Sequence, residues 1–170
     1  MTAVWGGRRG LQVFAQWKRA ISLAGEAAIP RMHKTQPMTF ALDHLGIAVK
    51  SLTTAKGIYE KLGLSISPEE TVAAEKVRVV MVPVGGTRLE LLEPTSDDSV
   101  IAKFIARRGE GLHHICMRVP NLAAAIEKLK SDGVRLVSED IKIGAGGHRY
   151  IFVHPSSTGG VLLELVDSTR

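Results

Sequence analysis

Hydrophobic and polar positions alternate with period two from Phe40 to Val49. Leu45, Ile47 and Val49 share one face, and His44, Gly46 and Ala48 share the other. The period then changes. Ser51 has the chemistry of an N-cap, Leu52, Ala55, Ile58, Tyr59 and Leu62 follow at helical spacing, and Gly63 stops the helix. Leu64 to Ser67 reads as a short strand, Pro68 to Glu75 as a polar loop and Lys76 to Val84 as a strand. Gly85 and Gly86 make a hairpin turn, and Thr87 to Glu93 is the partner strand. The pattern predicts a β-α-β-β-β unit. A connector (Pro94 to Ser99), a short amphipathic helix (Val100 to Ile105) and a turn (Arg107 to Gly111) follow, and then the pattern starts again. His113 to Val119 is a strand. Pro120 and Asn121 open a helix carrying Leu122, Ala125, Ile126 and Leu129, which ends near Gly133. Strands are predicted at Val134 to Val137, Tyr150 to His154 and Val161 to Val166, with a loop through Gly144, Gly146 and Gly147 and a turn from Pro155 to Gly160.

The second run repeats the first. LDHLGIAV (Leu42 to Val49) lies over LHHICMRV (Leu112 to Val119) with an offset of 70, which carries His44 onto His114, Leu52 onto Leu122, Ala55 onto Ala125 and Gly63 onto Gly133. Each copy closes with an acid inside an apolar strand, Glu90 in RLELLEP and Glu164 in VLLELVD. The predicted fold is α+β: two tandem βαβββ units, residues 40–94 and 112–167, forming one curved mixed sheet around a groove within a single domain, 40–167.

Strand parity places the candidate chemistry. Each helix must cover the apolar face of its own sheet, so Leu45, Ile47 and Val49, like Ile115, Met117 and Val119, turn toward helices. That sends His44 and His114 to the concave face. Leu89 and Leu91 flank Glu90, and Leu163 and Leu165 flank Glu164, so both carboxylates face the same way. A charged carboxylate among Leu and Val is costly unless it is paired or binds a metal. Two imidazoles and two carboxylates suit Co2+, Ni2+, Mn2+, Fe2+ or Zn2+, and lack the thiolates of a structural zinc site. Cys116, although set to line the groove, has no neighbour in sequence that marks it as a nucleophile. His113 reads as a hydrogen-bonding residue at the strand start and His154 as a turn residue.

Charge changes the picture only by its location. The chain carries a formal +5, but residues 1–37 hold six Lys/Arg against the single acid Glu26, and residues 38–170 hold sixteen of each sign. The folded part is neutral, which removes the case for nucleic acid. No apolar run is long enough to cross a bilayer. One cysteine allows no intramolecular disulfide and points to a reducing compartment. Residues 1–37 read as a leader, either a mitochondrial transit peptide or a non-native extension ahead of Met32 or Met38, loosely held and helical around Leu11 to Ala24. The expected location is cytoplasmic in a bacterium and the mitochondrial matrix in a eukaryote.

The doubled unit with His and Glu at these positions resembles the vicinal oxygen chelate superfamily, which includes glyoxalase I, extradiol dioxygenases, fosfomycin-resistance proteins and methylmalonyl-CoA epimerases. GLHHICMRV, KIGAGGHRYIFVHP and GVLLELV look most like the epimerase family. The resemblance implies metal ligands at His44, His114 and Glu164, with a further oxygen ligand at Glu90, where some epimerases carry Gln. It implies a cobalt-type divalent cofactor, an acyl-CoA substrate and a homodimer. It also implies that the loop with Gly146 and Gly147, together with Lys142 and Arg149, borders the substrate. One departure stands out: where a bacterial pattern carries a catalytic Glu on the strand before the hairpin, the aligned residue is Arg78, a candidate for holding substrate charge. The activity implied is 1,1-proton transfer through an enolate, with Glu164 and Glu90 as the acid–base pair. A lactoylglutathione lyase of the glyoxalase I type and a metal-free small-molecule-binding protein are the alternatives.

Overall fold

The structure is a computed structural model that describes residues 40–168. The expectations for residues 1–37 lie outside the described residues. Eight strands and three helices follow one another as β1 (Ala41–Ala48), α1 (Leu52–Lys61), β2 (Glu70–Val72), β3 (Val77–Val84), β4 (Thr87–Pro94), α2 (Val100–Arg108), β5 (Gly111–Val119), α3 (Leu122–Ser131), β6 (Lys142–Ile143), β7 (Arg149–Val153) and β8 (Leu163–Asp167). Short 3-10 turns lie at Ala73–Glu75, Ala145–Gly147 and Pro155–Ser157. The strands form a single sheet in the order β2-β3-β4-β1-β5-β8-β7-β6. The order is a palindrome of the two units. β1 runs parallel to β4, β5 runs parallel to β8, and the units join where β1 meets β5 antiparallel.

The helices start where side chains can cap them. Ser51, Ser99 and Asn121 accept the amide hydrogens of Thr54, Ala102 and Ala124. Gly63 and Gly133, at φ 75° and 72°, turn the chain out of α1 and α3. Each of these helices covers its own sheet as parity requires. Leu52 packs with Val49, Val80, Val82 and Leu91, while Leu122, Ala125 and Ile126 pack with Val119, Ile151, Val153 and Leu165. A third cluster, Ala48, Val77, Val79, Leu92 and Ile101, lies on the opposite face under α2. Ala48 is therefore core under α2 and does not line the polar end of the groove.

Three expectations need correction. The second strand of each unit is displaced downstream by the same kind of break. Leu64 and Ile66 hand their side chains to the α1 cluster, but Ser67 gives a single ladder bond, its N–H to the Met81 carbonyl at 2.9 Å. The Ser67 hydroxyl takes the Met81 N–H and Pro68 has no amide hydrogen, so pairing stops and resumes as β2 inside the predicted loop. In the second unit Leu136 makes an isolated bridge to Val153, and β6 forms later. Arg107 and Arg108 complete α2 where a turn was predicted, and Gly111 and Leu112 already belong to β5.

The two edges of the sheet approach one another across the groove. Glu70 of β2 accepts the Gly146 amide hydrogen at 2.9 Å, and Glu75 accepts from Lys142 Nζ and from the Tyr150 hydroxyl, each at 2.9 Å. Side chains of the first unit thus clasp the glycine loop of the second.

Candidate functional site

The sheet register assembles the groove floor. Gly46 on β1 lies between Glu90 on β4 and His114 on β5, and Cys116 on β5 lies between His44 on β1 and Glu164 on β8. Gly46 is there for space: a Cβ on it would sit 2.1 Å from Cε1 of His114. His44 Nε2 and His114 Nε2 are 3.1 Å apart. Glu90 Oε2 stands 3.4 Å from the first and 3.5 Å from the second, and Glu164 Oε2 stands 3.4 and 3.0 Å from them. All four side chains are buried.

Two β-bulges set what stands behind the imidazoles. The β1–β5 register slips once at Asp43, between Leu42 and His44, and once at His113, as Gly46 faces His114 but Ile47 faces Leu112. A bulge inserts one residue and turns neighbouring side chains to one side. Asp43 and His113, which strict alternation assigns to the helix face, instead lie beside His44 and His114. His44 Nδ1 contacts Asp43 Oδ1 at 2.9 Å, and His114 Nδ1 contacts His113 Nδ1 at 2.9 Å. Asp43 is also held by Arg88 and by Arg118.

These contacts orient both rings. Asp43 can only accept, because its carboxyl is held well below the usual range: burial opposes this, and His44, Arg118 and Arg88 outweigh it. His44 Nδ1 therefore donates. His113 is pushed down to about 4, first by burial and then by its neighbour His114, so it is a neutral ring sharing one hydrogen with His114 Nδ1. With each Nδ1 engaged behind its ring, both Nε2 atoms are aimed at each other between two carboxylates. The protein's own groups respond by raising the basicity of His44. Burial opposes that, but hydrogen bonding to Asp43, Cys116, Glu164 and Glu90 prevails. Glu164 is lowered to about 2, because His114 and His44 outweigh its burial. Burial pushes the Cys116 thiol up to about 12, so it is not a thiolate.

The donor set fits a divalent metal ion. His44, His114 and Glu164 each place a donor atom within 4.8 Å of the others. Ligands held about 2.1 Å from one ion at about 90–110° are about 3.0–3.4 Å apart, which matches the contacts at Nε2. Two facing imidazole nitrogens and two carboxylates crowd four electron-pair donors onto one point, which a single cation can satisfy together. The Asp43 and His113 contacts are the outer hydrogen bonds that a metal-ligating histidine requires.

Other expected site residues fall differently. Arg78 is not in the groove. It shares the helix face of β3 with Val80 and Val82, where it pairs with Glu93 at 2.5 Å and Glu69 at 3.6 Å, and the groove-facing residues of that strand are Val77, Val79 and Met81. Lys142 is tied to Glu75. Arg149 lies on the face of β7 that carries Ile151 and Val153, and pairs with Asp167 at 3.6 Å. Gly144 and Ala145, rather than Gly146 and Gly147, line the cavities of the site. Sequence reasoning passed over Asp43, Arg88, Arg118, Glu75 and Tyr150. A signal for the first was present: both copies break alternation with two adjacent polar residues, Asp43-His44 and His113-His114.

Residues 43–152 match the Glyoxalase/Bleomycin resistance protein/Dioxygenase superfamily. The chain belongs to this superfamily. Its curved sheet of paired units is that of the superfamily, whose enzymes use a divalent metal. The chain is 44% identical over 126 residues to the mitochondrial methylmalonyl-CoA epimerase of Homo sapiens, covering 73% of this chain and 72% of that one. Among solved structures, methylmalonyl-CoA epimerase from Mycobacterium tuberculosis superposes with a TM-score of 0.74 at 38% identity, covering 82% of this chain and 95% of that one. A Streptomyces coelicolor methylmalonyl-CoA epimerase variant in complex with 2-nitronate-propionyl-CoA gives 0.73 at 34% identity, covering 78% and 99%.

Proposed function

We propose that this superfamily member interconverts (R)- and (S)-methylmalonyl-CoA by moving the proton on the carbon between carboxylate and thioester. The observation that carries the reading is the pair of facing imidazole Nε2 atoms enclosed by Glu90 and Glu164, in a chain 34–44% identical to epimerases. His44, His114, Glu90 and Glu164 would hold the metal, with Co2+ the first choice for this borderline set of nitrogen and oxygen donors. When bound, the divalent ion supplies Lewis-acid stabilisation for negative charge building on substrate oxygen. The chain's own residues do the rest. Glu164 takes or returns the proton on one face of the α-carbon. Val79, Leu92, Ile101 and Phe152 keep the cavity apolar and strengthen each charge interaction within it. Glu90 serves as a ligand, since it stands over the same two imidazoles as Glu164.

The cofactor handle of the substrate needs cations. Lys142 and Arg149 are committed to Glu75 and Asp167, while Arg107 and Arg108 have no acidic partner among the described residues. They line a cavity with Phe104 and His113 that adjoins the site through His113, and are the better candidates for its phosphates.

The test is deuterium wash-in at the α-carbon of methylmalonyl-CoA by the metal-loaded protein. Exchange with interconversion of both isomers supports the reading. Turnover of methylglyoxal–glutathione hemithioacetal without exchange would reverse it in favour of the lyase, which the carboxylate at Glu90 also suits. Residues 1–37 we take as a leader, and amino-terminal sequencing of the mature protein separates a removed transit peptide from a start at Met32 or Met38. A homodimer is expected, and sedimentation checks it.

A further inference from the structure

Epimerisation needs proton traffic on both faces of a planar carbon, and the floor supplies one of them. Glu90 and Glu164 both stand within 3.5 Å of the same imidazole nitrogens. Among the described residues, the other titratable groups lining the apolar one of the site's two cavities are Glu75, His113 and Tyr150, while His148 and the Asp43 cluster line the polar one on the far side of the ligands. His113 is engaged with His114. Tyr150 keeps its proton, because burial and then the neighbouring Glu75 carboxylate raise its pKa. Glu75 is left.

We propose that Glu75 is the second acid–base group, working on the face of the α-carbon opposite Glu164, with Tyr150 and Lys142 as its positioning residues. The inference rests on the epimerase reading. Glu75 is held from both directions. It ends the 3-10 turn Ala73–Glu75, and the next residue, Lys76, has φ 55°, the one positive φ outside glycine among the described residues. A non-glycine residue is disfavoured in the left-handed region, so the fold maintains this turn against a local preference. From the other unit, Tyr150 Oη and Lys142 Nζ both donate to the same oxygen, Oε1, at 2.9 Å. No hydrogen bond among the described residues occupies Oε2. The adjacent groove positions of β3, Val77 and Val79, are apolar, so this wall has no other base.

The step balances without a further reagent. In one direction the Glu75 carboxylate takes the α-proton, the C–H electron pair moves into the thioester as an enolate, and solvent water beside the Glu164 carboxylate gives a proton to the other face, its hydroxide recovering the proton held by Glu75. In the reverse direction the two carboxylates exchange roles.

Each pure isomer is incubated in D2O with the metal-loaded wild type, Glu75→Gln and Tyr150→Phe. The expected result for Glu75→Gln is interconversion slowed at least about 100-fold, with deuterium still entering one isomer only, with retention of configuration at its carbon. Tyr150→Phe is expected to lower kcat about tenfold with KM unchanged. Metal content and Tm of Glu75→Gln should match the wild type, and Glu75→Asp should give the same one-sided exchange at an intermediate rate. Interconversion by Glu75→Gln within threefold of the wild type overturns the proposal. Equal loss of exchange with both isomers, in Glu75→Gln and Glu75→Asp alike, overturns it too. A wild type inert on both isomers removes the epimerase reading itself, an outcome recognisable before any variant is compared.

Discussion

The two units use one backbone device and dress it differently. Each places a bulge one residue before its inward histidine. In the first unit the bulged residue is Asp43, an anion braced by Arg88 and Arg118; in the second it is His113, a neutral ring stacked edge-on against Phe104 at 5.0 Å. Two residues past each histidine the units differ again. Gly46 yields room to the His114 ring, while Cys116 fills the same position beside His44. The backbone geometry is shared and the electrostatics are not: one imidazole is backed by charge, the other by packing.

The largest effect should come from the ligands themselves. His44→Ala and His114→Ala are each expected to lose metal at stoichiometric loading and at least about 1000-fold in exchange rate, measured by elemental analysis and deuterium wash-in. A variant keeping both metal and rate would break the equivalence of the units. Gly46→Ala should come next, since its methyl group overlaps the His114 ring. A loss of about 1–3 kcal/mol in stability is expected, with weakened metal binding, whereas Cys116→Ala at the matching position should retain metal. Calorimetry with a metal titration compares them.

The backing residues sharpen the contrast further. Asp43→Asn should weaken metal binding about 10–100-fold, and His113→Phe by less, because only the first removes a charge from behind its imidazole. The acid limb of stability carries the same signature. Asp43 is held below its ordinary range, so its stabilising contribution is present above about pH 4 and disappears as pH falls through its folded value. Asp43→Asn should flatten the loss of stability below about pH 4 in urea titrations, and His113→Phe should leave that limb unchanged.

Much of this was legible in the sequence because period two is a strong rule inside a strand. Parity alone turned His44, Glu90, His114 and Glu164 to one face, and the structure brings them together. It failed where a strand gains a residue. A bulge shifts the count by one, so strict alternation misplaces Asp43 and His113. The same limit applies to Arg78, one step out of phase with Val79: aligning a motif fixes a neighbourhood, whereas a face is fixed only by counting along the strand. Glu75 was invisible for another reason. Its place depends on two sheet edges meeting across the groove, through Tyr150 and Lys142 some 70 residues away, and no local pattern encodes that approach.

The palindromic strand order has a further consequence. With the units joined where β1 lies against β5, each contributes one imidazole and one carboxylate to a common centre. A polypeptide of half this length, paired with its own copy along β1, would build that centre with perfect symmetry and could never alter one side alone. Covalent fusion removes the constraint. Asp43 in one unit where the other has His113 is what such freedom looks like, and a handed carbon is the kind of substrate for which a lopsided cradle is worth having.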